Sequence, residues 1–414
     1  MADRQGGALA GIRVLDLGRV LAAPWATQLL ADMGAEVIKV ERPGTGDLSR
    51  SYGTVAVTDA EGNRTRETSF WVCANRNKKS ITVDLSKPEG QALIRDLAAE
   101  CDVLMENFIA GTTRRMGIDY ETLRKINPRL VYCSLTGYGQ DGPYASRGGY
   151  DAVFQAQSGL MNITGIEDGK PGAGPMKTGP SLMDVMAGMN AAVGILGALS
   201  YRDRVSGEGQ FVDVAMLDTA IACQSHAVAE YLMSGKVPMR RGNAGNGGGP
   251  AEVFACADRL IYISAGNDYN YVDLCKVLGV PDMGTDPKFL TLRDRWENRA
   301  ELTERLAARI ATWNGDDLLA ALVEARVPAS LVMDYDDVFS DPQVVHRGIR
   351  VEMEHPLAAS GTVPGIAFPV RLSETPVEAY SHPPLLGEHS EYVLRDILGM
   401  NDASIEKLRA NQVV

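Results

Sequence analysis

Residues 12–42 read IRVLDLGRVLAAPWATQLLADMGAEVIKVER, and this stretch decides the fold class. Ile12 to Leu17 is an apolar run that reads as a buried strand, and Ala35 to Val40 reads as another. The segment between them carries the marks of a helix, with Pro24 able to open its first turn and Gly34 to close it. Strand, helix and strand within roughly 30 residues make a βαβ unit, which carries a parallel sheet with right-handed crossovers.

The same rhythm continues outward. Ser80–Asp84, Asp102–Glu106 and Leu130–Leu135 read as further strands, with a helix from Lys87 to Glu100 that has Pro88 near its start. This alternation predicts an α/β fold with an open, doubly wound sheet, and such sheets bind ligands beyond the carboxyl ends of their strands. Arg42, Asn107 and Tyr138 each fall just after such an end. The run DVMAGMNAAVGILGALSY, Asp184 to Tyr201, has almost no polar face and predicts a buried helix. Phe211–Ala215 reads as one more strand, followed by a helix to about Ser234 and then a glycine-rich stretch from Arg240 to Pro250. Beyond it, Leu260–Ser264 reads as a strand and Arg293–Trp313 as one charged amphipathic helix, the start of a second domain. The expected division is 1–205 for a large domain, 206–225 for a linker, 226–325 for a small domain and 326–414 for a second linker and return.

Composition narrows the class. A 414-residue chain is too long for one ordinary core, so two domains are expected, and 45% hydrophobic with 23% charged residues is average for a globular protein. The net charge of −12 disfavours nucleic acid and acidic membranes as partners, so an anionic ligand needs a local basic cluster. The six cysteines form no CxxC pair and read as reduced thiols in a cytoplasmic protein's core. The N-terminal MADRQGGALAG has no apolar leader, and no other stretch reads as a membrane span.

Three features rise above this background. Asp184 stands at the entrance of the apolar helix. It reads either as a carboxylate serving the helix N-terminus or as a nucleophile for a substrate with an activated carbonyl. The glycines at 245 and 247–249 let backbone approach a ligand closely and could cover a reacting carbonyl, or they form a plain surface loop. Lys39, Arg42, Arg76, Lys78, Lys79, Arg114 and Arg115 cluster near strand ends, as a phosphate-binding rim or a solvated surface. No GxGxxG follows the first strand, no GK[ST] follows the glycine run, no GxSxG occurs, and the five histidines lack metal spacing, so no metal is expected.

These residues bring out a resemblance. LAGIRVLDLGRVLAAPWATQLLADMGAEVIKVERPGTGD (9–47), NRNKKSITVDL (75–85), ENFIAGTTRRMGID (106–119), INPRLVYCSLTGYGQDGPY (126–144), GGYDAVFQAQSGLM (148–161), RGNAGNGGGP (241–250) and LLGEHSEYVL (385–394) resemble the class III CoA-transferases, the CaiB/BaiF family. The resemblance spans nearly the whole chain and includes members of the formyl-CoA:oxalate type. It implies a large Rossmann-like domain built from both chain ends, a smaller α/β domain and an interlocked, ring-like homodimer with the active site between subunits. It also implies Asp184 as covalent nucleophile, with Gly247 and Gly248 closing over the reacting carbonyl. Coenzyme A, a substrate and not a tightly bound cofactor, would meet Arg42 and Arg115 at its phosphates with Lys78 and Lys79 adding charge. Val83, Asn107 and Phe108 would bound the adenine, and Tyr138 would lie near the pantetheine. The expected partners are an acyl-CoA donor such as succinyl-CoA, small carboxylic acids and a second copy of the chain.

Some positions depart from the family pattern. Oxalate-using members carry Gln where this chain has Leu21, which points to another acceptor, and Ile109–Ala110 replace a segment that often holds proline. The related α-methylacyl-CoA racemases use a GHD motif, where this chain has Gly149–Tyr150–Asp151 and so lacks the histidine base. Racemisation and non-catalytic CoA binding stand as the alternatives.

Overall fold

The computed structural model describes residues 6–245, 249–377 and 379–414. Six strands, β1 (Arg13–Asp16), β2 (Glu36–Glu41), β3 (Lys78–Thr82), β4 (Val103–Glu106), β5 (Val131–Thr136) and β6 (Phe211–Ala215), form one sheet in the order 3-2-1-4-5-6, every neighbouring pair parallel. The α/β doubly wound expectation therefore holds. β4 and β5 are buried along their full length, which is why they read as continuous apolar runs and not as alternating ones. The order reverses between β1 and β4, so the crevice beyond their carboxyl ends is where this topology places a ligand.

The connecting helices are α1 (Ala22–Asp32), α2 (Pro88–Ala99), α3 (Asp151–Gln157), α4 (Leu182–Tyr201), α5 (Met216–Ala222) and α6 (His226–Ser234). α4 packs tightly on α1, and a Cβ at Gly188 would come within 2.5 Å of the Ala22 carbonyl oxygen. The expectation that α4 is buried all round is corrected. Met183, Ala187, Ala191, Ile195 and Ala198 join the core, but Met189 is 46% and Val193 69% exposed. Leu182–Ser206 is long and apolar enough to cross a membrane by length and composition alone, yet one face of it is core.

The chain divides into two units, 6–160 with 177–236 and 347–414, and 161–176 with 237–346. The boundaries expected at 226 and 325 shift because α6 belongs to the larger unit, whereas Ala329–Leu331 pairs with a strand of the smaller. In the larger unit the returning tail covers the edge strand β3: the His389 N–H donates to the Ser80 carbonyl (2.8 Å) and the Gly387 N–H to the Ser80 hydroxyl (3.0 Å). The smaller unit has a three-stranded antiparallel sheet, β7 (Ala251–Ala255), β8 (Leu260–Ser264) and β9 (Ala329–Leu331), over a core that includes Ile261, Ile263, Tyr271, Leu306 and Leu322.

Two long helices expected from periodicity are interrupted. Arg293–Trp313 is two helices, Leu292–Glu297 and Arg299–Ile310, separated by Asn298 at φ −107°, ψ 22°. The helix expected after β6 breaks into α5 and α6 at Ser225, whose φ is +46°. All six cysteines are free. Four are buried, but Cys73 is exposed and Cys223 half-buried, so the core assignment fails for those two.

Candidate active site

Asp184 is the third residue of α4, where a carboxylate ordinarily satisfies the helix's free N–H groups. Here another residue does that. Asp151, opening α3, accepts hydrogen bonds from the N–H groups of Met183 (2.6 Å) and Asp184 (3.2 Å) through one carboxylate oxygen. Its other oxygen accepts from the Gln155 amide. Asp184 is thereby relieved of capping, and among the described residues none donates a hydrogen bond to its carboxylate. Burial, and then the neighbouring charge of Asp151, push the Asp184 carboxyl up to about 7. The N–H groups that a helix-start carboxylate would take are thus held by Asp151, and Asp184 is left as a half-buried carboxylate with a raised pKa. Asp151 carries no local sequence mark of this role, since its partners are backbone N–H groups 32 and 33 residues away.

A second feature of the same unit is a cavity of about 600 Å³ beyond the carboxyl ends of β1 to β4. Leu17, Val40, Val83, Leu85, Phe108 and Met116 give it apolar walls, and Arg19, Arg42, Arg66 and Ser86 give it polar ones. Three of the anticipated positions, Arg42, Val83 and Phe108, meet there. Arg42 also lines an adjoining cavity of about 410 Å³ with Lys87 and Arg409, and it has no ion-pair partner among the described residues. The apolar walls suit an aromatic base and the guanidinium groups suit phosphate oxygens.

Other anticipated positions are placed elsewhere. Lys78 is fully buried, and its ammonium donates to Asp16 Oδ2 (3.0 Å), the Pro24 carbonyl (2.8 Å) and Asn75 Oδ1 (3.0 Å). All three donors are consumed, so Lys78 has none left for a phosphate, which corrects its assignment. Lys79 pairs with Glu36 (2.5 Å) and lies 3.8 Å over the Tyr392 ring, outside the cavity wall. Asn107 is no part of that wall; its amide clamps the main chain of Arg19. Arg115 is exposed and donates to Thr112 Oγ1 (3.0 Å), with its neighbour Met116 reaching the cavity instead. Tyr138 packs edge-on against Tyr144 and Phe154 and donates to Gln157 Oε1 (2.8 Å). Arg19 was missed, although the rule that selected Arg42 covers it, since it follows β1 as Arg42 follows β2.

In the smaller unit, Gly247 and Gly248 lie outside the described residues. The flanks of the glycine run are tied down: the Gly245 N–H donates to the Ala251 carbonyl (2.7 Å), and fully buried Arg295 donates to the Gly249 carbonyl (2.9 Å).

Residues 9–390 match the model of CoA-transferase family III. The chain belongs to that family. Over 390 residues it is 42% identical to the succinate–glutarate CoA-transferase of Agrobacterium fabrum, covering 94% of this chain and 95% of that one. It is 36% identical over 411 residues to the succinyl-CoA–D-citramalate CoA-transferase of Chloroflexus aurantiacus, covering 98% of each. Among solved structures, a CaiB/BaiF family protein from Brucella suis superposes with a TM-score of 0.84 at 39% identity, over 95% of this chain and all of that one. Within this CoA-transferase, Leu21 is a buried apolar residue at the start of α1. Tyr150 is exposed and shares a hydrogen bond with the Tyr52 hydroxyl.

Proposed function

We propose that this CoA-transferase moves coenzyme A from succinyl-CoA to a dicarboxylic acid of the glutarate or citramalate kind, through covalent intermediates on Asp184. The observation that carries this reading is the Asp184 carboxylate, freed from helix capping by Asp151 and left without a partner. The names of the similar enzymes supply the donor and the acceptor class.

An Asp184 oxygen attacks the thioester carbonyl, the C–S bond breaks, and CoA leaves as thiolate with an acyl–aspartyl anhydride behind. The thiolate then attacks the aspartyl carbonyl, releasing succinate and forming an aspartyl-CoA thioester. The acceptor carboxylate attacks that thioester, and the thiolate finally attacks the acceptor's carbonyl, returning Asp184 to a carboxylate. Each step exchanges one activated acyl group for another, so no external energy source is consumed. Arg42, Val83 and Phe108 hold the nucleotide end of CoA through guanidinium–phosphate contact and an apolar wall. The enzyme works as a homodimer in this reading, and exposed Met189 and Val193 of α4 are apolar area that a partner subunit would cover.

Incubating the protein with succinyl-CoA and a panel of mono- and dicarboxylates, with acyl-CoA products separated by mass, tests the reading. Glutaryl-CoA or a homologous thioester is expected. Normal CoA binding with no exchange to any acid would contradict it, and solvent deuterium entering the α-carbon of a 2-methylacyl-CoA would favour racemisation.

The reading also fixes a pH dependence. Asp184 reacts as its anion, so kcat/KM is expected to fall about tenfold per unit as pH drops below about 7. Asp151→Asn removes the second of the two causes of that raised value. Its pH–rate profile should therefore break at a lower pH than the wild type's, and an unmoved break would exclude this electrostatic coupling.

A further inference from the structure

The turn between β1 and α1 is held in an unfavourable conformation by side chains from its surroundings. Val20 has φ +67°, a left-handed value that β-branched residues rarely adopt. Its N–H donates to both carboxylate oxygens of Asp47, at 3.1 and 3.3 Å. One residue earlier, Asn107 closes a two-way clamp: the Arg19 N–H donates to Asn107 Oδ1 (2.8 Å), and Asn107 Nδ2 donates to the Arg19 carbonyl (2.9 Å). Asp16 Oδ1 accepts the Gly18 N–H at 2.8 Å, and Lys39 donates to the Gly18 carbonyl. The backbone of this turn is thus satisfied by groups from β1, from β2 and the loop after it, and from the loop after β4. Strained conformations persist only where the surroundings over-determine them, and they gather at ligand sites.

The side chain carried by this turn is Arg19. Its guanidinium sits 4.5 Å over the Phe108 ring and has no ion-pair partner among the described residues. Arg19, Asp47, Phe108 and Arg42 line one cavity, while the Asp47 carboxylate is engaged by Val20 and by Lys39 Nζ at 3.1 Å. The cavity is also lined by Glu41, Asp47 and Asp84, but Glu41 is paired with Arg50 and Asp47 with Lys39, so the guanidinium groups of Arg19 and Arg42 remain able to take an anion's oxygens.

We propose that Asp47 and Asn107 are positioning residues that hold the left-handed turn at Val20 so that Arg19 joins Arg42 in binding the phosphates of the CoA substrate. The inference rests on the reading of this cavity as the CoA site. It explains the valine: the turn is kept rigid by its surroundings and not by glycine, so the arginine before it is preset.

Steady-state kinetics with succinyl-CoA, together with calorimetric titration of CoA, test it on five variants. Asn107→Ala, at a half-exposed position, is expected to raise KM and Kd for CoA about tenfold with kcat within about twofold and melting unchanged. Combined with Arg19→Ala it should add nothing to the effect of Arg19→Ala alone, because both act through one contact. Asp47→Ala is expected to weaken CoA in the same way, and Val20→Gly in that background should recover most of the loss, since glycine enters the left-handed region freely. Wild-type KM and Kd in Asn107→Ala, full additivity with Arg19→Ala, or no recovery by Val20→Gly in a folded Asp47→Ala protein overturns the inference. Should Asp47→Ala not fold, the Asn107 and Arg19 variants decide alone. CoA binding is read by calorimetry whether or not transfer occurs, so a failure of the transferase reading is seen separately.

Discussion

Asp184→Ala is expected to lower kcat for CoA transfer by on the order of 10⁴-fold while the protein folds normally. Loss of rate follows from loss of the only atoms on which both the anhydride and the thioester form. Normal folding follows from Asp151, which satisfies the first N–H groups of α4, so that α4 keeps its cap when Asp184 is removed. Linkage sharpens the expectation. The folded protein holds the Asp184 carboxyl near 7, against an ordinary 3.8, so ionising it opposes folding above about pH 7. As pH falls below the ordinary value the carboxyl is protonated in both states and the penalty disappears. Asp184→Ala should therefore melt higher than the wild type at pH 8, with the gap closing as pH falls toward about 3. A capping role predicts the reverse: a helix that loses its cap melts lower at neutral pH.

Lys78→Met is expected to destabilise the fold by about 3–5 kcal/mol, with KM for the CoA thioester unchanged at temperatures where the variant is folded. Lys78 and Asp16 are both fully buried, 3.0 Å apart, on the two strands that flank β2 in the one sheet. Burial lowers the Lys78 ammonium to about 8, partly offset by Asp16. Burial by itself would raise Asp16, but Lys39 and Lys78 outweigh it and hold its carboxyl below the usual range. Taking away the lysine leaves a buried carboxylate with only Lys39 opposite, and that uncompensated charge is the source of the loss. Asp16→Asn in the Lys78→Met background should recover part of the stability, because the pair then vanishes together. Denaturant unfolding of the wild type and these two variants reads this directly. A large KM effect with little change in stability would restore Lys78 to a phosphate-binding role.

Residues 12–42 carried the fold because a parallel strand buried on both faces leaves a local mark: Val14, Leu15, Val37 and Ile38 are apolar without alternation and are all buried. Gly34 and Pro24 punctuated the helix between them. Global packing leaves no such mark. α4 read as wholly buried because composition around a helix does not say which face meets its own chain and which is left over. Lys78 and Arg42 are both basic residues close to strand ends, and only the structure separates them. Lys78 is inside β3 and faces Asp16, whereas Arg42 is one residue past β2 and faces the cavity. Asp151 and Asp47 were invisible as functional residues because their partners, the N–H groups of residues 183–184 and of Val20, are distant in sequence and carry no side-chain signature.

Transfer through Asp184 requires a covalent bond to that one carboxylate. The protein is incubated with succinyl-CoA, quenched with hydroxylamine, digested, and the peptide containing Asp184 is weighed. A hydroxamate on Asp184, formed with succinyl-CoA and not with free succinate, is the expected result. An active enzyme that yields no adduct at Asp184, or an adduct at a different carboxylate, would contradict it.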